Sequence, residues 1–300
     1  MPRLEVKTVI VTGASAGIGK ATARRLARDG TQLVLVGRRT QLLEELKQEL
    51  ESMLGHGNYQ PGPQFLVVGA DITQPEARES IIQRTLEVFQ RIDGLVNNAG
   101  FGQRGPIELV PVDAVRRNFE TNLFSLIALT QLVIPIMRSQ GSGRIVNVGS
   151  VAGKIARPFS SVYDATKHAL EAITDGLRGE VALFGIQVAL IQPGFILTEF
   201  LDVANQISRP VLDNAGPYAP YFQEFSKNQQ RAKRFAGQPE GIADLIYRAL
   251  TDKRPRFRYA GPGHARLFLA LKRFMPERWF DSIALRSAGL GSANKAPKRD

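Results

Sequence analysis

Short apolar runs alternate with longer amphipathic stretches along most of the chain. Residues 6–12 and 33–36 are rich in β-branched and aliphatic side chains, which predicts strands that are buried on both faces. Between them, apolar residues recur at helical spacing as far as Arg28, and Gly30 follows as a stop signal. A strand, a helix and a second strand in this order predict a parallel α/β sheet.

The same alternation continues to residue 260. Further strands are predicted at residues 65–68, 94–97, 144–148, 187–191 and 256–260. Helices are predicted at residues 40–53, 76–91, 112–138, 161–184 and 238–250. We therefore expect an α/β fold with a doubly wound parallel sheet and helices on both faces, formed by residues 1–260 as a single domain.

Residues 199–235 break the alternation, since they contain prolines and aromatic residues without a clear period. A segment in this position is typical of a lid over a substrate pocket. Its aromatic residues, with three earlier phenylalanines, predict a pocket for an apolar substrate, although for any one of them taken alone we favour the interpretation as an ordinary core residue. They are Phe101, Phe159, Phe195, Tyr218, Tyr221, Phe222 and Phe225.

Residues 261–300 form a basic, amphipathic extension, for which we expect two short helices divided near Pro276. Residues 227–300 contain seventeen Lys and Arg against six Asp and Glu, which accounts for the whole net charge of +11. A basic amphipathic helix with Trp and Phe can lie on an anionic membrane. Residues 262–286 therefore either contact such a membrane peripherally or pack on their own domain or on a partner subunit. No recognition motif accompanies the charge, so we expect no nucleic-acid partner.

The composition argues against several classes of site. The chain has no cysteine, and its three histidines lack metal-ligand spacing, so we expect neither a disulfide framework nor a metal site. The N-terminal residues do not resemble a signal peptide, and the apolar run within residues 123–137 is shorter than a membrane span. We expect a cytoplasmic protein.

A glycine-rich turn joins the first strand to the first helix, with Gly13, Gly17 and Gly19 in the sequence TGASAGIG. Glycine permits a tight turn, and its missing side chain lets a pyrophosphate approach the free N–H groups of the helix N-terminus. Such a turn between a strand and a helix indicates a dinucleotide-binding Rossmann fold.

The end of the second strand bears on the choice of cofactor. Gly37 is followed by Arg38 and Arg39, where an NAD site would carry an acidic residue. The Arg38 guanidinium can pair with the 2′-phosphate of NADP(H), and the Ser15 hydroxyl can add a contact. The alternative is that both arginines are solvated residues at a helix start. We expect NADP(H) to be preferred over NAD(H).

Ser150, Tyr163 and Lys167 are spaced for carbonyl chemistry. Tyr163 and Lys167 lie four residues apart on one helix face, and an ammonium beside a phenol lowers the phenol's pKa. Ser150 lies on the loop before this helix and can hold a carbonyl or alcohol oxygen with its hydroxyl. A proton donor, its activator and a substrate clamp are what reversible carbonyl reduction needs beside a hydride source. Taken alone, the tyrosine–lysine spacing is common, and each residue can have a structural role.

Three further polar residues lie where a ligand would be near. Asp71 follows the third strand and can edge the adenine ring, or it is a turn residue. Asn98 belongs to the sequence NNAG after the fourth strand, whose small residues suit a backbone close to a cofactor. Asn122 lies in an apolar helix and either makes a structural hydrogen bond or holds a water beside Lys167.

Together these motifs resemble the short-chain dehydrogenase/reductase family. The matching sequences are TGASAGIG, NNAG, YDATK and PGFILT, with Asn122 and Ser150 between them, in the family's order over roughly the first 200 residues. The resemblance implies a seven-stranded parallel sheet and a homodimer or homotetramer formed through the helices at residues 112–138 and 161–184. Many NADP-binding members carry a basic residue just before the second glycine, where this chain has Ala16. That leaves Arg38 as the main phosphate ligand.

The resemblance also implies a role for each matching residue. Tyr163 would be the acid/base, Lys167 would lower its pKa and bind the nicotinamide ribose, and Ser150 would position the substrate oxygen. Asn122 would complete a proton relay through water. The cofactor would be held by Gly13, Ser15, Gly17, Ile18, Gly19, Arg38, Asp71, Asn98, Tyr163, Lys167 and Thr198.

The layout after residue 250, with the sequence PRFRYAGPG, resembles the hydroxysteroid-dehydrogenase-like branch of the family. We expect an NADP(H)-dependent enzyme that interconverts a ketone and a secondary alcohol on an apolar substrate of steroid-like, long-chain or 3-oxoacyl type. The alternative is a catalytically idle NADP(H)-binding sensor or interaction protein on the same fold. The complete set of Asn122, Ser150, Tyr163 and Lys167 argues against that alternative.

Overall fold

A computed structural model describes residues 6–54 and 64–291 of the chain. Its parallel strands form one seven-stranded sheet in the order β3-β2-β1-β4-β5-β6-β7. They are β1 (Thr8–Thr12), β2 (Gln32–Gly37), β3 (Phe65–Gly69), β4 (Gly94–Asn97), β5 (Gly143–Val148), β6 (Ile186–Pro193) and β7 (Arg258–Gly261). The strands predicted from the sequence are all present, and their ends differ from the prediction by no more than two residues.

Helices connect these strands and extend beyond the last of them. They are α1 (Gly17–Ala27), α2 (Thr40–Leu54), α3 (Pro75–Phe89), α4 (Val112–Phe119), α5 (Ser125–Gln140), α6 (Ser161–Val181), α7 (Phe200–Leu212), α8 (Ala219–Ala232), α9 (Pro239–Thr251), α10 (Gly263–Phe274) and α11 (Glu277–Ser287).

The sheet is covered on both faces because successive strand residues point to opposite sides. On β1, Val9 and Val11 pack into one apolar core with α1, α2 and α9. Ile10 packs into the other core, with α3, α5 and the end of α6. Burial on both faces explains why the strands are continuous apolar runs rather than alternating ones. The predicted doubly wound α/β fold is confirmed.

The strand order leaves a crevice at one edge of the sheet. From β1 the chain proceeds outward through β2 to β3, and then returns to add β4 on the other side of β1. The loops after β1 and β4 therefore diverge and leave a crevice at the carboxyl ends of the strands, which is where ligands bind in such sheets.

The helix predicted at residues 112–138 is present, but it is not a regular α-helix along its whole length. A π-helical turn, Glu120–Phe124, joins α4 to α5 and contains Asn122. A π turn contains one residue more than an α-helical turn. In a helix that is apolar on most sides, this one residue hardly changes the hydrophobic pattern, so the sequence does not reveal the turn. Short π segments are frequently found at functional sites.

Val112–Gln140 is long and apolar enough, by length and composition alone, to cross a membrane. In the structure this stretch packs on the sheet, where Leu129, Val133 and Met137 are fully buried. Core packing therefore accounts for part of its apolar character.

The region after β6 is more regular than its sequence suggests. Residues 199–235 were expected to lack a clear period, but they form α7 and α8 with short 3-10 turns. The two predicted C-terminal helices are present as α10 and α11, on either side of Pro276. Residues 292–300 of the predicted extension lie outside the described residues.

Candidate active site

A cavity of about 460 Å³ opens at the carboxyl edge of the sheet. The glycine turn, the end of β2 and the loops after β3, β4, β5 and β6 contribute to its lining. Of the site residues predicted from the sequence, all line it except Gly19 and Asn122, and each of these two contacts a residue that does. The structure therefore brings the predicted residues together in one place.

The glycine turn forms a cradle beside the N-terminus of α1. Gly13 and Gly17 adopt positive φ angles of +67° and +52°, a conformation that residues with a Cβ rarely take. A Cβ on Gly19 would overlap the carbonyl oxygen of Gly13. Ala16 caps α1 without a side-chain hydrogen bond, so the N–H groups of the first turn have no side-chain acceptor there. Such a cradle fits the pyrophosphate of a dinucleotide.

Asn98 and Asp71 both line the cavity; Asn98 makes long-range hydrogen bonds to the glycine turn, whereas the hydrogen bonds of Asp71 are local. The Asn98 side-chain N–H donates to the carbonyl oxygens of Thr12 (2.9 Å) and Gly13 (3.3 Å), so it braces the glycine turn. Asp71 accepts hydrogen bonds from the backbone and the hydroxyl of Thr73. For Asp71 the turn interpretation from the sequence therefore describes its contacts, while its position beside the cavity leaves the adenine interpretation open.

Two arginines stand at the end of β2. Arg38 is exposed and has no hydrogen bond or ion pair among the described residues, and it lines the cavity. Arg39 donates to the Ser15 hydroxyl at 3.2 Å and forms an ion pair with Glu199 at 3.1 Å. The sequence had favoured Arg38 as the phosphate ligand, but both guanidinium groups and the Ser15 hydroxyl surround this end of the cavity.

Ser150, Tyr163 and Lys167 approach the opposite side of the cavity. The Ser150 hydroxyl oxygen accepts the N–H of Ala152 at 3.0 Å, and the hydroxyl donates a long hydrogen bond of 3.4 Å to the carbonyl oxygen of Pro193. Tyr163 and Lys167 project from the same side of α6, with the Lys167 Nζ 5.8 Å from the centre of the Tyr163 ring. The Lys167 ammonium donates to the carbonyl oxygen of Val148 at 2.9 Å.

The pKa of Tyr163 differs from the sequence expectation that a neighbouring ammonium would lower it. Burial of the phenol raises its pKa to about 12, although a hydrogen bond with Ser150 and the charge of Arg157 act in the opposite direction. Burial also lowers the pKa of Lys167 to about 8. In this structure, desolvation therefore outweighs any effect of the lysine on the tyrosine.

Asn122 is buried in the π turn and fully engaged. Its side chain accepts the N–H of Phe101 (3.0 Å) and donates to the Phe101 carbonyl (2.9 Å) and to the Thr166 hydroxyl (3.2 Å). These bonds fix the loop after β4 against α6, as the structural interpretation of this residue predicted. The relay role implied by the family resemblance remains a proposal.

The predicted aromatic pocket is only partly correct. Phe101 and Phe195 line the cavity. The other five pack together in a separate apolar cluster beneath α8, where Phe159 makes ring contacts of 5.6 Å with both phenylalanines of that helix; they are Phe159, Tyr218, Tyr221, Phe222 and Phe225. The three phenylalanines are buried core residues and the two tyrosines are half-buried against them, so the wall of the cavity comes instead from α7.

The wall residues from α7 were not identified from the sequence. Phe200 lies 5.5 Å from the Tyr163 ring, measured between ring centres. Leu201, Val203 and Ile207 continue the apolar surface. A helical prediction for residues 199–212 would have placed these side chains on one face, but Pro210 within the helix discourages that prediction.

Two arginines that no motif marks also line the cavity. Arg157 forms a paired contact with Asp164, at 2.5 Å and 3.1 Å. Arg104 is buried, and burial lowers its pKa to about 10. In the sequence neither differs from an ordinary surface arginine, because its burial depends on distant elements.

Known proteins share this architecture. Residues 7–207 match the family described as short chain dehydrogenase. An uncharacterized oxidoreductase of Bacillus subtilis, YusZ, is 33% identical over 280 residues, which cover 92% of this chain and 96% of that protein.

Two solved structures resemble the fold and carry a nicotinamide cofactor. A short-chain dehydrogenase/reductase from Burkholderia phymatum in complex with NAD has a TM-score of 0.77 and 25% identity, covering 95% of this chain and 97% of its own. The L-sorbose reductase from Gluconobacter frateurii, complexed with NADPH and L-sorbose, has a TM-score of 0.71 and 28% identity, covering 87% and 96%. From the sequence match and the shared fold, this chain belongs to the short-chain dehydrogenase/reductase family of oxidoreductases.

Proposed function

We propose that this protein is an NADP(H)-dependent oxidoreductase that interconverts a ketone and a secondary alcohol on an apolar substrate. The observation that carries the proposal is the convergence of Ser150, Tyr163 and Lys167 on one cavity that also contains the glycine cradle. The cradle fits a dinucleotide, and α7 supplies an apolar wall beside Tyr163. When bound, the cofactor would supply or accept the hydride.

The residues of the chain would handle the proton and the substrate oxygen. In the reducing direction, hydride addition to the carbonyl carbon leaves negative charge on its oxygen, and the Tyr163 phenol gives that oxygen a proton, so that C=O becomes CH–OH. The Ser150 hydroxyl, whose oxygen is held by the Ala152 N–H, donates a hydrogen bond to the same oxygen. Lys167, with a pKa of about 8, can return a proton towards Tyr163 near neutral pH.

The first experiment follows NADPH and NADH consumption with short, long-chain, 3-oxoacyl and steroidal ketones. Tyr163→Phe should lower turnover by about a hundredfold to ten-thousandfold, because it removes the proton donor. NADPH affinity, measured by calorimetry, should be unchanged. Turnover retained by the variant would refute the assignment of Tyr163. Tight cofactor binding by the wild type without turnover of any ketone would favour the idle sensor.

The preference for NADP(H) rests on Arg38, Arg39 and Ser15. No carboxylate follows β2, and the Arg38 guanidinium is free to meet a 2′-phosphate. Arg38→Gln should raise the KM for NADPH by about tenfold to a hundredfold and leave the KM for NADH nearly unchanged, since hydrogen bonds to a charged group are strong. The exposed Arg28→Gln, at the end of α1, is a matched control. Equal effects on both cofactors would contradict the assignment.

We further propose that the protein is a homo-oligomer and that its C-terminal helices touch an anionic membrane surface. Val112, Phe124 and Ile173 are exposed on the α4–α5 and α6 surfaces, as expected of a subunit interface. On α10 and α11 the exposed large apolar side chains are Leu267, Leu271, Phe274, Trp279, Ile283 and Leu285. The domain itself does not cover these side chains, and exposed arginines lie among them.

A further inference from the structure

Arg104 lies in the loop between β4 and α4 and is only 6% exposed. Its Nη1 donates to the Ser160 hydroxyl at 3.2 Å, and its guanidinium lies 5.5 Å from the centre of the Phe225 ring. Its Nε is buried without any hydrogen-bond partner. Among residues 6–54 and 64–291, no carboxylate pairs with Arg104, whereas the neighbouring Arg157 holds Asp164 through two of its nitrogens.

A buried guanidinium without a counter-charge is costly, and it is retained where a negatively charged partner compensates. The groups around Arg104 compensate its charge only in part: Asp164 favours the charged form from a distance, but no carboxylate among the described residues forms an ion pair with it, and burial still lowers its pKa. Arg157 repels it, and the Asp164 carboxylate is already engaged by Arg157. Ser160 and Phe225 are uncharged. Residues 6–54 and 64–291 therefore do not provide a paired anion for Arg104.

The position of Arg104 assigns that anion to the substrate side of the cavity. Its contacts are with the segment just before Tyr163 and with α8, while its backbone N–H is held by Ser208 of α7. None of the predicted cofactor residues in the glycine turn or after β2 contacts it. The two carboxylates that line the cavity, Asp71 and Glu199, lie at the cofactor end and are engaged with Thr73 and Arg39.

The donor geometry favours a planar anion. Nη1 is occupied by Ser160, whereas neither Nε, which is enclosed by protein atoms, nor Nη2 has a hydrogen bond among the described residues. Two parallel N–H groups on one edge match the two oxygens of a carboxylate. The apolar wall formed by Phe101, Phe200 and Val203 would then contact the chain that joins this carboxylate to the reacting carbonyl.

We propose that Arg104 binds a carboxylate of the substrate, so that the substrates are apolar oxo acids and hydroxy acids rather than neutral ketones and alcohols. The proposal rests on the proposed function, since it assigns the substrate class of the same site.

The first test measures binding without chemistry, by calorimetry with octanoate and with octanamide of the same size. Wild-type protein should bind octanoate about tenfold to a hundredfold more tightly than octanamide, and Arg104→Met should abolish that difference, because a charge-assisted hydrogen bond is lost. Arg104→Lys should restore part of it. Arg209→Gln, on the exposed side of α7, is the matched control and should behave as wild type.

The second test measures turnover of oxo acids with chains of increasing length between ketone and carboxylate, each beside its methyl ester. Arg104→Met should raise the KM for the acids by about tenfold to a hundredfold and leave the kcat/KM for the esters unchanged. Turnover of esters and acids alike by wild type, unaffected in the variant, would overturn the inference while the proposed function stands. A preference for phosphorylated ketones over oxo acids would also overturn it.

A stability measurement separates a structural role from a binding one. Removal of an unpaired buried charge should leave the melting temperature of Arg104→Met unchanged or raise it. A lower melting temperature together with unchanged octanoate binding would show that Arg104 is structural and would refute the proposal.

Discussion

Lys167 shows how a single buried charge couples the proposed chemistry to stability. Its ammonium is held by the Val148 carbonyl oxygen, and no carboxylate among the described residues pairs with it. Burial lowers its pKa from the ordinary 10.5 to about 8. The folded protein therefore binds fewer protons than the unfolded chain between these two pH values, so its stability rises with pH across that window.

Lys167→Met should remove this pH dependence. Between about pH 7 and about pH 10.5, the free energy of unfolding of the wild type should rise by on the order of 3 kcal/mol more than that of the variant. This is the size expected from the lowered pKa of Lys167. Urea unfolding of both proteins across this range measures it. Lys253→Met, an exposed lysine, is the control and should run parallel to wild type. Parallel curves for Lys167→Met as well would contradict a lowered pKa.

At the scale of elements, the π turn between α4 and α5 is the feature that places Asn122. The extra residue of the turn lets Asn122 reach the backbone of Phe101 and the Thr166 hydroxyl at the same time. Without the extra residue, the helix after the turn would be rotated about its axis by about 100° from its present orientation. The turn thus connects the loop after β4 with α6, which carries Tyr163.

Deletion of Phe124 should convert the π turn into a regular helix. We expect the variant to fold and bind NADPH, but to lose at least about tenfold in kcat, because misplacement of a supporting residue by about 1 Å has effects of this size. Phe124→Ala is the matched control, since it removes the same exposed ring and keeps the turn. If the deletion and the control lose activity equally, the turn has no positioning role.

The elements differ in how far the sequence predicts them. The strands and the glycine turn were predictable because their signals are local: apolar runs buried on both faces, and glycines followed by a helix. The π turn was not, since Asn122 gains its partners from Phe101 and Thr166, which only the tertiary fold brings near. Phe159 and Phe225 were misassigned to the pocket because aromatic composition does not distinguish a core from a cavity wall.

The same limit applies to charge within the site. The sequence predicted that Arg38 lies beside the cavity, because the residue after the second strand of a dinucleotide-binding fold faces the cofactor ribose. Arg104 and Arg157 lie in loops where sequence gives no hint of burial, and their distinction rests on Asp164 pairing with only one of them. The positions of motif-bearing residues at the cavity could therefore be predicted one by one, whereas Arg104 and Arg157 could be placed there only from the whole fold.

At the scale of the whole molecule, the charge and the exposed apolar residues coincide at the C-terminal helices. Leu271, Phe274 and Trp279 are more than half exposed, and Arg273 and Arg278 are exposed between them. Each basic residue near an anionic surface contributes about 1 kcal/mol, and the apolar side chains add area that water would otherwise contact.

Leu271→Ser combined with Trp279→Ser should weaken binding to vesicles that contain anionic lipid. We expect wild type to cosediment with such vesicles, with an affinity that falls as salt rises, and not with purely zwitterionic ones. The double variant should stay in the supernatant, and its molar mass in light scattering should equal that of the wild type. A lower molar mass in light scattering, with no vesicle binding by wild type, would show instead that this face is a subunit interface.

The contact of Arg39 with both Ser15 and Glu199 has a kinetic consequence. Glu199 immediately precedes α7, so the Arg39 side chain links the Ser15 end of the cavity to the helix that forms its apolar wall. A cofactor phosphate that bound to Arg39, as proposed, would compete with Glu199 for the Arg39 guanidinium. The ion pair between Arg39 and Glu199 would then break only after the cofactor had bound, and α7 would be released at that point. The two ligands would then enter in a fixed sequence, cofactor before substrate, although the cavity is open to both.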